Sequence, residues 1–359
     1  MSSQITVPKS LCILRLSAIG DVCHAVAMVQ QIQKQWPDLH ITWVIGKVEA
    51  QLLSGLTGVE FVIFDKKAGL QGYKNLWRQL KGQKFDVLLH MQVALRASLA
   101  SLCIPAKVKI GFDRSRAKEG QWLFTNKQIA AQKAPHVLDG FLGFAEKLGL
   151  KIEQPQWQMP INDQDHLWAS EQLITDKPIA VIAPAASKAE RNWLAERYAE
   201  IAVHLRERGF DVVICGGPTE METKLAHKII ELADTKITNL VGKTTLKQLL
   251  AVLKLAHLVI APDTGPAHMA VTVGTPVIGL YAHSNPHRTG PYNCQHYVVS
   301  CYKQVIEQQC GKPLVRLPWG IRAKGSDLMA NIKVEQVKDK IRQVIADHYP
   351  QLKSIEELD

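Results

Sequence analysis

The chain is short of aromatic residues, short of acid in its first half, and without any long apolar run. Aromatics make up 6% of it, and the basic stretch from Lys107 to Lys133 holds only Phe112, Trp122 and Phe124. That is a poor stacking platform for bases, which disfavours a nucleic-acid-binding protein as the remaining non-enzymatic alternative. No uninterrupted stretch of 18 apolar residues occurs, so no segment reads as spanning a bilayer. The opening M-S-S-Q-I-T-V-P-K-S lacks the apolar core of a signal peptide. There is no C-x-x-C pair, which disfavours a zinc ribbon. The seven cysteines are an odd number, which favours a reducing compartment. Cys12, Cys103 and Cys215 lie in apolar runs as small hydrophobes. Cys294, Cys301 and Cys310 cluster loosely, with a metal or a disulfide there left open. The expectation is a cytoplasmic protein.

Absent motifs narrow the chemistry further. No G-x-x-x-x-G-K-[ST] occurs, so a P-loop is excluded. No two glycines stand two apart, so the dinucleotide fingerprint G-x-G-x-x-G is missing and a conventional NAD dehydrogenase is disfavoured. Neither H-E-x-x-H nor G-x-S-x-G is present.

What the chain does have is an uneven charge. The net charge is +10; residues 1–150 carry +9 of it and residues 151–359 only +1. A one-sided positive field attracts an anionic partner: a phosphorylated lipid, nucleic acid or a membrane surface. The plainer reading of a basic surface is solubility.

Short β-branched runs alternate with helical-period segments throughout. Strands are predicted at 11–16, 41–45, 59–64, 85–90 and 108–110, then at 179–183, 211–215, 258–261 and 277–280. Helices are predicted at 21–35, 72–80, 94–102 and 138–148, then at 194–208, 220–233, 246–255, 266–273 and 334–348. This alternation predicts an α/β fold of two Rossmann-like parallel-sheet domains, joined near the polar segment 150–178. The expected division is 1–165, 175–333 and a final helix at 334–349. Open parallel sheets bind ligands beyond the carboxyl ends of their strands, so the chemistry is expected just after strands, in a cleft between two facing domains.

Five constellations stand in such places. Residues 16–24, L-S-A-I-G-D-V-C-H, put Asp21 near the start of the first helix, either as an N-terminal cap or as a carboxylate able to act as general base. Residues 183–193, A-P-A-A-S-K-A-E-R-N-W, offer Ser187, Lys188 and Arg191 to phosphate oxygens, or else form a solvated basic loop. Residues 215–222, C-G-G-P-T-E-M-E, put Glu220 and Glu222 at a helix start, either complementing its dipole or hydrogen-bonding a nucleoside. Residues 260–268, I-A-P-D-T-G-P-A-H, place Asp263, Thr264, Gly265 and His268 at a helix N-terminus suited to an anion. Residues 281–292, Y-A-H-S-N-P-H-R-T-G-P-Y, form a polar loop that is either a lid or plain surface.

Together these resemble glycosyltransferase family 9, the ADP-heptose lipopolysaccharide heptosyltransferases. The resemblance rests on L-S-A-I-G-D-V-C-H near the start with P-D-T-G-P-A-H late in the chain. It is supported by G-F-D-R-S-R-A-K-E at 111–119, H-V-L-D at 136–139 and N-P-H-R-T-G-P-Y at 285–292, and covers roughly 11–345. Residues 111–119 are most similar to the branch that adds the first heptose to the inner core.

The resemblance implies a GT-B architecture with an N-terminal acceptor domain, a C-terminal donor domain and a last helix folding back. It implies inverting transfer of heptose from ADP-heptose to the Kdo–lipid A inner core, with neither metal nor cofactor, by an enzyme peripheral to the inner face of the cytoplasmic membrane and not binding nucleic acid. Asp21 is the implied base. Ser187, Lys188, Arg191, Glu220 (with Glu222 close), Asp263, Thr264, Gly265 and His268 are the implied donor-binding set, with Arg191 standing where the family has a lysine. Gln92, Arg96, Arg114, Arg116, Lys118 and His136 are the expected acceptor-binding set. The chain departs from the family pattern at His90–Ser98 and Ala282–Pro286, which bears on the acceptor and the sugar rather than on the fold. A same-fold transferase or epimerase using another nucleotide sugar, or a transferase acting on a later core acceptor, is the alternative.

Overall fold

The strand-forming runs L-C-I-L, V-L-L-H and L-V-I-A are apolar at successive positions rather than alternate ones, the pattern of strands covered on both faces. In the computed structural model, which describes residues 7–350, these runs are the fully buried centres of two sheets. The chain divides after Pro160 into two compact units.

The first unit runs β1 (Ser10–Leu14), α1 (Ile19–Gln35), β2 (His40–Gly46), α2 (Lys47–Leu53), β3 (Val59–Phe64), α3 (Gly69–Gln79), β4 (Phe85–His90), α4 (Leu95–Ala100), β5 (Ala106–Gly111), β6 (Lys127–Gln128) and α5 (Val137–Leu148). Its six strands lie in the order β3-β2-β1-β4-β5-β6, and every pairing is parallel. The second runs α6 (Asp163–Gln172), β7 (Ile179–Ile182), α7 (Ala195–Glu207), β8 (Asp211–Ile214), α8 (Glu220–Ala233), β9 (Ile237–Asn239), α9 (Leu246–Leu255), β10 (Leu258–Pro262), α10 (Gly265–Thr272), β11 (Val277–Tyr281), α11 (Pro286–Thr289), β12 (Val299–Ser300), α12 (Tyr302–Cys310) and α13 (Val334–His348). Its order is β12-β11-β10-β7-β8-β9, again all parallel, and is the first unit's order read from the other edge. Both units are Rossmann-like.

Each sheet reverses its winding direction once, between β1 and β4 in the first unit and between β7 and β10 in the second. At such a switch the two outgoing loops diverge and leave a crevice beyond the strand ends. The helix boundaries are set by local chemistry. His136 caps α5, its Nδ1 accepting from Leu138 N–H at 3.0 Å, and the helix stops at Gly149, whose φ of +95° is open to glycine at little cost. Thr219 and Thr245 cap α8 and α9 through their hydroxyls. The last helix, α13, packs against α7 within the second unit. All seven cysteines are free thiols. Among the described residues no helix is long and apolar enough to cross a membrane.

Candidate active site

Asp21 is the third residue of α1, one short loop beyond the end of β1. Its carboxylate accepts from the Ala18 N–H at 3.1 Å and pairs with the Arg15 guanidinium. Both contacts use Oδ2; Oδ1 has no partner among the described residues. The cap and the chemistry are therefore compatible, since one oxygen fixes the group and the other is left to take a proton. Arg15 is itself held in place. It donates to the Met91 carbonyl at 2.6 Å and lies 5.2 Å from the centre of the Phe141 ring. The side chains of Arg15 and Asp21 are 12% and 29% exposed, so the pair is part-buried yet reachable. One turn further along α1, buried His24 meets His136 edge to face, with ring centres 5.1 Å apart.

At the same end of this sheet a cavity of about 410 Å³ is lined by residues that include Ser17, Lys66, Gln92, Leu95, Arg96 and Glu119. Gln92 shapes it by accepting from Leu16 N–H at 2.7 Å and donating to the Ser17 hydroxyl at 3.4 Å. Glu119 accepts from the Leu95 N–H at 2.6 Å, and Lys66 is anchored by buried Glu49 at 3.0 Å. The other acceptor candidates sit differently. Arg116 pairs with buried Asp113 and donates to Gln132 at 2.8 Å, so it braces the loop after β5. Burial works to raise the Asp113 carboxyl, but its bonds from Ser115 and Arg116 outweigh this and hold it below the usual range. His136 is buried as the cap of α5. Arg114 lies 3.5 Å from the Trp122 ring centre, and both it and Lys118 are exposed.

In the second unit, the loops after β7, β10 and β11 are tied together around Asp263. Arg191 donates Nη2 to the Ser187 hydroxyl at 2.6 Å and Nη1 to the Asp263 carbonyl at 3.3 Å, with the Asp263 carboxylate 3.7 Å from Nη1. Its Nε is buried without a hydrogen-bond partner. Ser284 donates to Asp263 at 2.6 Å, and His268 Nε2 lies 3.8 Å from the same carboxylate. Burial acts to raise the Asp263 carboxyl; His268, Ser284 and Arg191 overcome it and keep the group ionised below the usual range. Thr264 stands at the cap of α10 but donates its hydroxyl to the Ala185 carbonyl at 3.1 Å. The first N–H groups of α10, from Gly265 on, thus have no side-chain cap, the arrangement that suits an anion. Lys188 is exposed and pairs loosely with Glu190 at 3.8 Å.

Of the two acids after the Gly216–Gly217 turn, Glu222 folds back onto it. Glu222 accepts from Gly217 N–H at 2.9 Å and from the Thr219 hydroxyl at 2.6 Å. A Cβ at position 217 would stand 2.9 Å from that carboxylate, so a side chain there would push the Glu222 carboxylate off the turn. Glu220 is exposed and pairs with Lys224 at 2.6 Å.

A model of glycosyltransferase family 9 (heptosyltransferase) matches residues 73–317. The lipopolysaccharide core heptosyltransferase OpsX of Haemophilus influenzae is 47% identical over 337 residues, 94% of this chain and 97% of that relative. The chain belongs to glycosyltransferase family 9. Among solved structures, the glycosyl transferase family 9 protein of Veillonella parvula DSM 2008 shares the fold with a TM-score of 0.78, at 23% identity over 94% of this chain and 97% of that one. The E. coli heptosyltransferase WaaC with ADP does so with a TM-score of 0.71, at 21% identity over 93% and 99%.

For this family 9 glycosyltransferase, sequence reasoning missed two side chains that organise the sites. Arg15 was legible in principle, since a charge inside the apolar run L-C-I-L-R-L demands a buried partner. Asn192, which fixes the backbone of the loop after β7 by accepting from Ala186 N–H at 2.7 Å, gave no signal beyond its position. Among the described residues no group of three His, Cys, Asp or Glu side chains gathers as metal ligands would.

Proposed function

We propose that this chain transfers heptose from ADP-heptose to the Kdo–lipid A inner core of lipopolysaccharide, at the inner face of the cytoplasmic membrane, with inversion at the anomeric carbon and without a metal. The observation that carries the reading is the 47% identity to OpsX along nearly the whole of both chains. In this reading Asp21 Oδ1 takes the proton of the attacking acceptor hydroxyl while Oδ2 stays bonded to Ala18 and Arg15. The oxygen of the acceptor forms its bond to the anomeric carbon as the bond to the diphosphate breaks. A single displacement from the face opposite the leaving group inverts the centre.

The departing diphosphate gains negative charge. Arg191, Ser187, Lys188 and the open first turn of α10 are the donors that would stabilise it, and such preorganised donors act most strongly on charge that develops in the transition state. Asp263 and His268 orient Arg191 and the sugar, and Glu222, with Glu220 as the alternative, meets the nucleoside. Gln92 and Arg96 at the first unit's cavity, with exposed Arg114 and Lys118, form the acceptor set, while Arg116 and His136 position it by bracing the loop after β5 and the start of α5.

The test is mass spectrometry of Kdo–lipid A after incubation with the purified chain, ADP-heptose and a chelator. A gain of one heptose with release of ADP is expected. Transfer only from another nucleotide sugar, or only to an acceptor that already carries heptose, would replace this reading with the alternative one.

A further inference from the structure

We propose that the outer face of α3 and α4 is a docking surface for an anionic phospholipid bilayer. Residues 66–112 hold nine lysines and arginines against one acid, Asp86. That acid is already committed, accepting from Lys107 at 2.9 Å and from the Lys9 N–H at 2.9 Å. The inner faces of α3 and α4 cover one core through Leu76, Ala97 and Ala100. Their outer faces are mixed: on α3, Leu70 and Trp77 stand exposed among Gln71, Arg78 and Gln79, and on α4 Leu95 and Leu99 are exposed, where a solvated helix face would be polar throughout. On α3, Leu70, Lys74 and Trp77 recur at i, i+4 and i+7; on α4 and the turn after it, Leu95, Leu99 and Leu102 do the same. Leu70 is 81% exposed, Trp77 55%, Leu95 48%, Leu99 41% and Leu102 65%. The two elements are neighbours: the Tyr73 hydroxyl donates to the Arg96 carbonyl at 3.4 Å, and the Cys103 thiol lies 3.7 Å from the Tyr73 carbonyl.

The choice of a bilayer over a protein partner follows from where the cations stand. Protein interfaces are depleted of lysine at their centre. Here Lys74 lies inside the apolar stripe, and Lys81 lies 5.9 Å from the Trp77 ring centre. Long cationic side chains among leucine and tryptophan suit a headgroup layer, where the apolar stem is buried and the charge reaches a phosphate. The patch is also continuous with the cavity, because Leu95 and Arg96 line it. A lipid-anchored acceptor could therefore offer its sugar to the cavity without leaving the membrane.

The inference rests on the proposed reaction and deepens it by naming the surface that meets the lipid phase, but its vesicle-binding readout contains no sugar. The whole protein is sedimented with vesicles of phosphatidylcholine alone and of phosphatidylcholine mixed with phosphatidylglycerol. Binding is expected only with the anionic vesicles and is released by salt. Lys74→Ala with Lys81→Ala should weaken it roughly 25-fold, about fivefold per charge. Leu70→Ser with Leu99→Ser and Leu102→Ser should abolish it, with the circular dichroism spectrum and transfer to a de-acylated, water-soluble acceptor unchanged. Equal binding to neutral vesicles, unaltered binding by both variants, or a dimer without vesicle binding that the leucine variant breaks would each overturn the proposal. Failure of the reaction itself would show instead as no transfer to the soluble acceptor by any form of the protein, with the vesicle result intact.

Discussion

The Arg15–Asp21 pair makes one prediction sharp, because the same carboxylate is asked to hold a loop and to take a proton. Asp21→Asn keeps an oxygen that can accept from Ala18 N–H but removes the charge facing Arg15. Arg15 is 12% exposed, so its lost partner costs stability; for a part-buried charged hydrogen bond the cost is about 1–3 kcal/mol. Loss of a general base costs transfer roughly 10²–10⁴-fold. The two effects separate in a double-mutant cycle. Arg15→Met alone loses the pair and the bond to the Met91 carbonyl. Combined with Asp21→Asn, it should cost less than the sum of the singles by about 1–2 kcal/mol, because neither charge is then left without the other. Urea unfolding measures the stability side, ADP binding checks the donor half, and a coupled ADP-release assay measures transfer. The double variant is expected to show that coupling in stability, with no return of transfer. Transfer near the wild-type rate in Asp21→Asn, or a return of transfer in the double variant, would refute the assignment of Asp21 as the base.

Two further outcomes follow from the geometry. Arg191→Lys restores the residue type the family resemblance implies and keeps the charge, but a lysine cannot span both Ser187 and Asp263; donor affinity should fall by roughly tenfold or more, read by calorimetry with ADP, and unchanged affinity would remove the fork from the mechanism. His90, pushed down to about 4 by burial and then by nearby Lys109, is neutral in the folded protein where the unfolded chain titrates at 6.5. Its contribution to stability is therefore complete above pH 6.5 and is lost as pH falls from there toward 4, about 3 kcal/mol across the window. Urea midpoints measured through that window should fall more steeply for the wild type than for His90→Gln, and parallel curves would contradict the cause.

How much of this was legible beforehand depended on whether a segment's role is written in its own residues. The central strands and long helices were, because burial on both faces or one demands a repeating apolar pattern; α8, α9 and α13 fall at the predicted bounds. The edge strands β6, β9 and β12 were not, since two or three residues carry no period and they pair only because a neighbour offers a ladder. Helix α6 was read as part of a polar join, because it buries only Ala169 and so has almost no apolar stripe; its start is marked by Asn162 accepting from Asp165 N–H at 2.7 Å.

The site shows the same division at finer grain. Asp21, Asp263 and Arg191 were singled out for their places after strands, and the structure does put each of them beyond the end of a parallel strand. Glu220 and Glu222 could not be separated, as both lie in the first turn of one helix and both complement its dipole. What separates them is the chain reversal at Gly216–Gly217, which brings a backbone N–H within 2.9 Å of Glu222, while Glu220 finds Lys224 one turn along its own exposed face. A carboxylate that bonds the glycine turn is held in one place, which favours it for the nucleoside contact in the proposed reading, whereas one that bonds only its own helix is free to follow solvent. Glu222→Gln should accordingly weaken ADP binding several-fold, with Glu220→Gln nearly silent, and calorimetry giving the reverse order would return the role to Glu220.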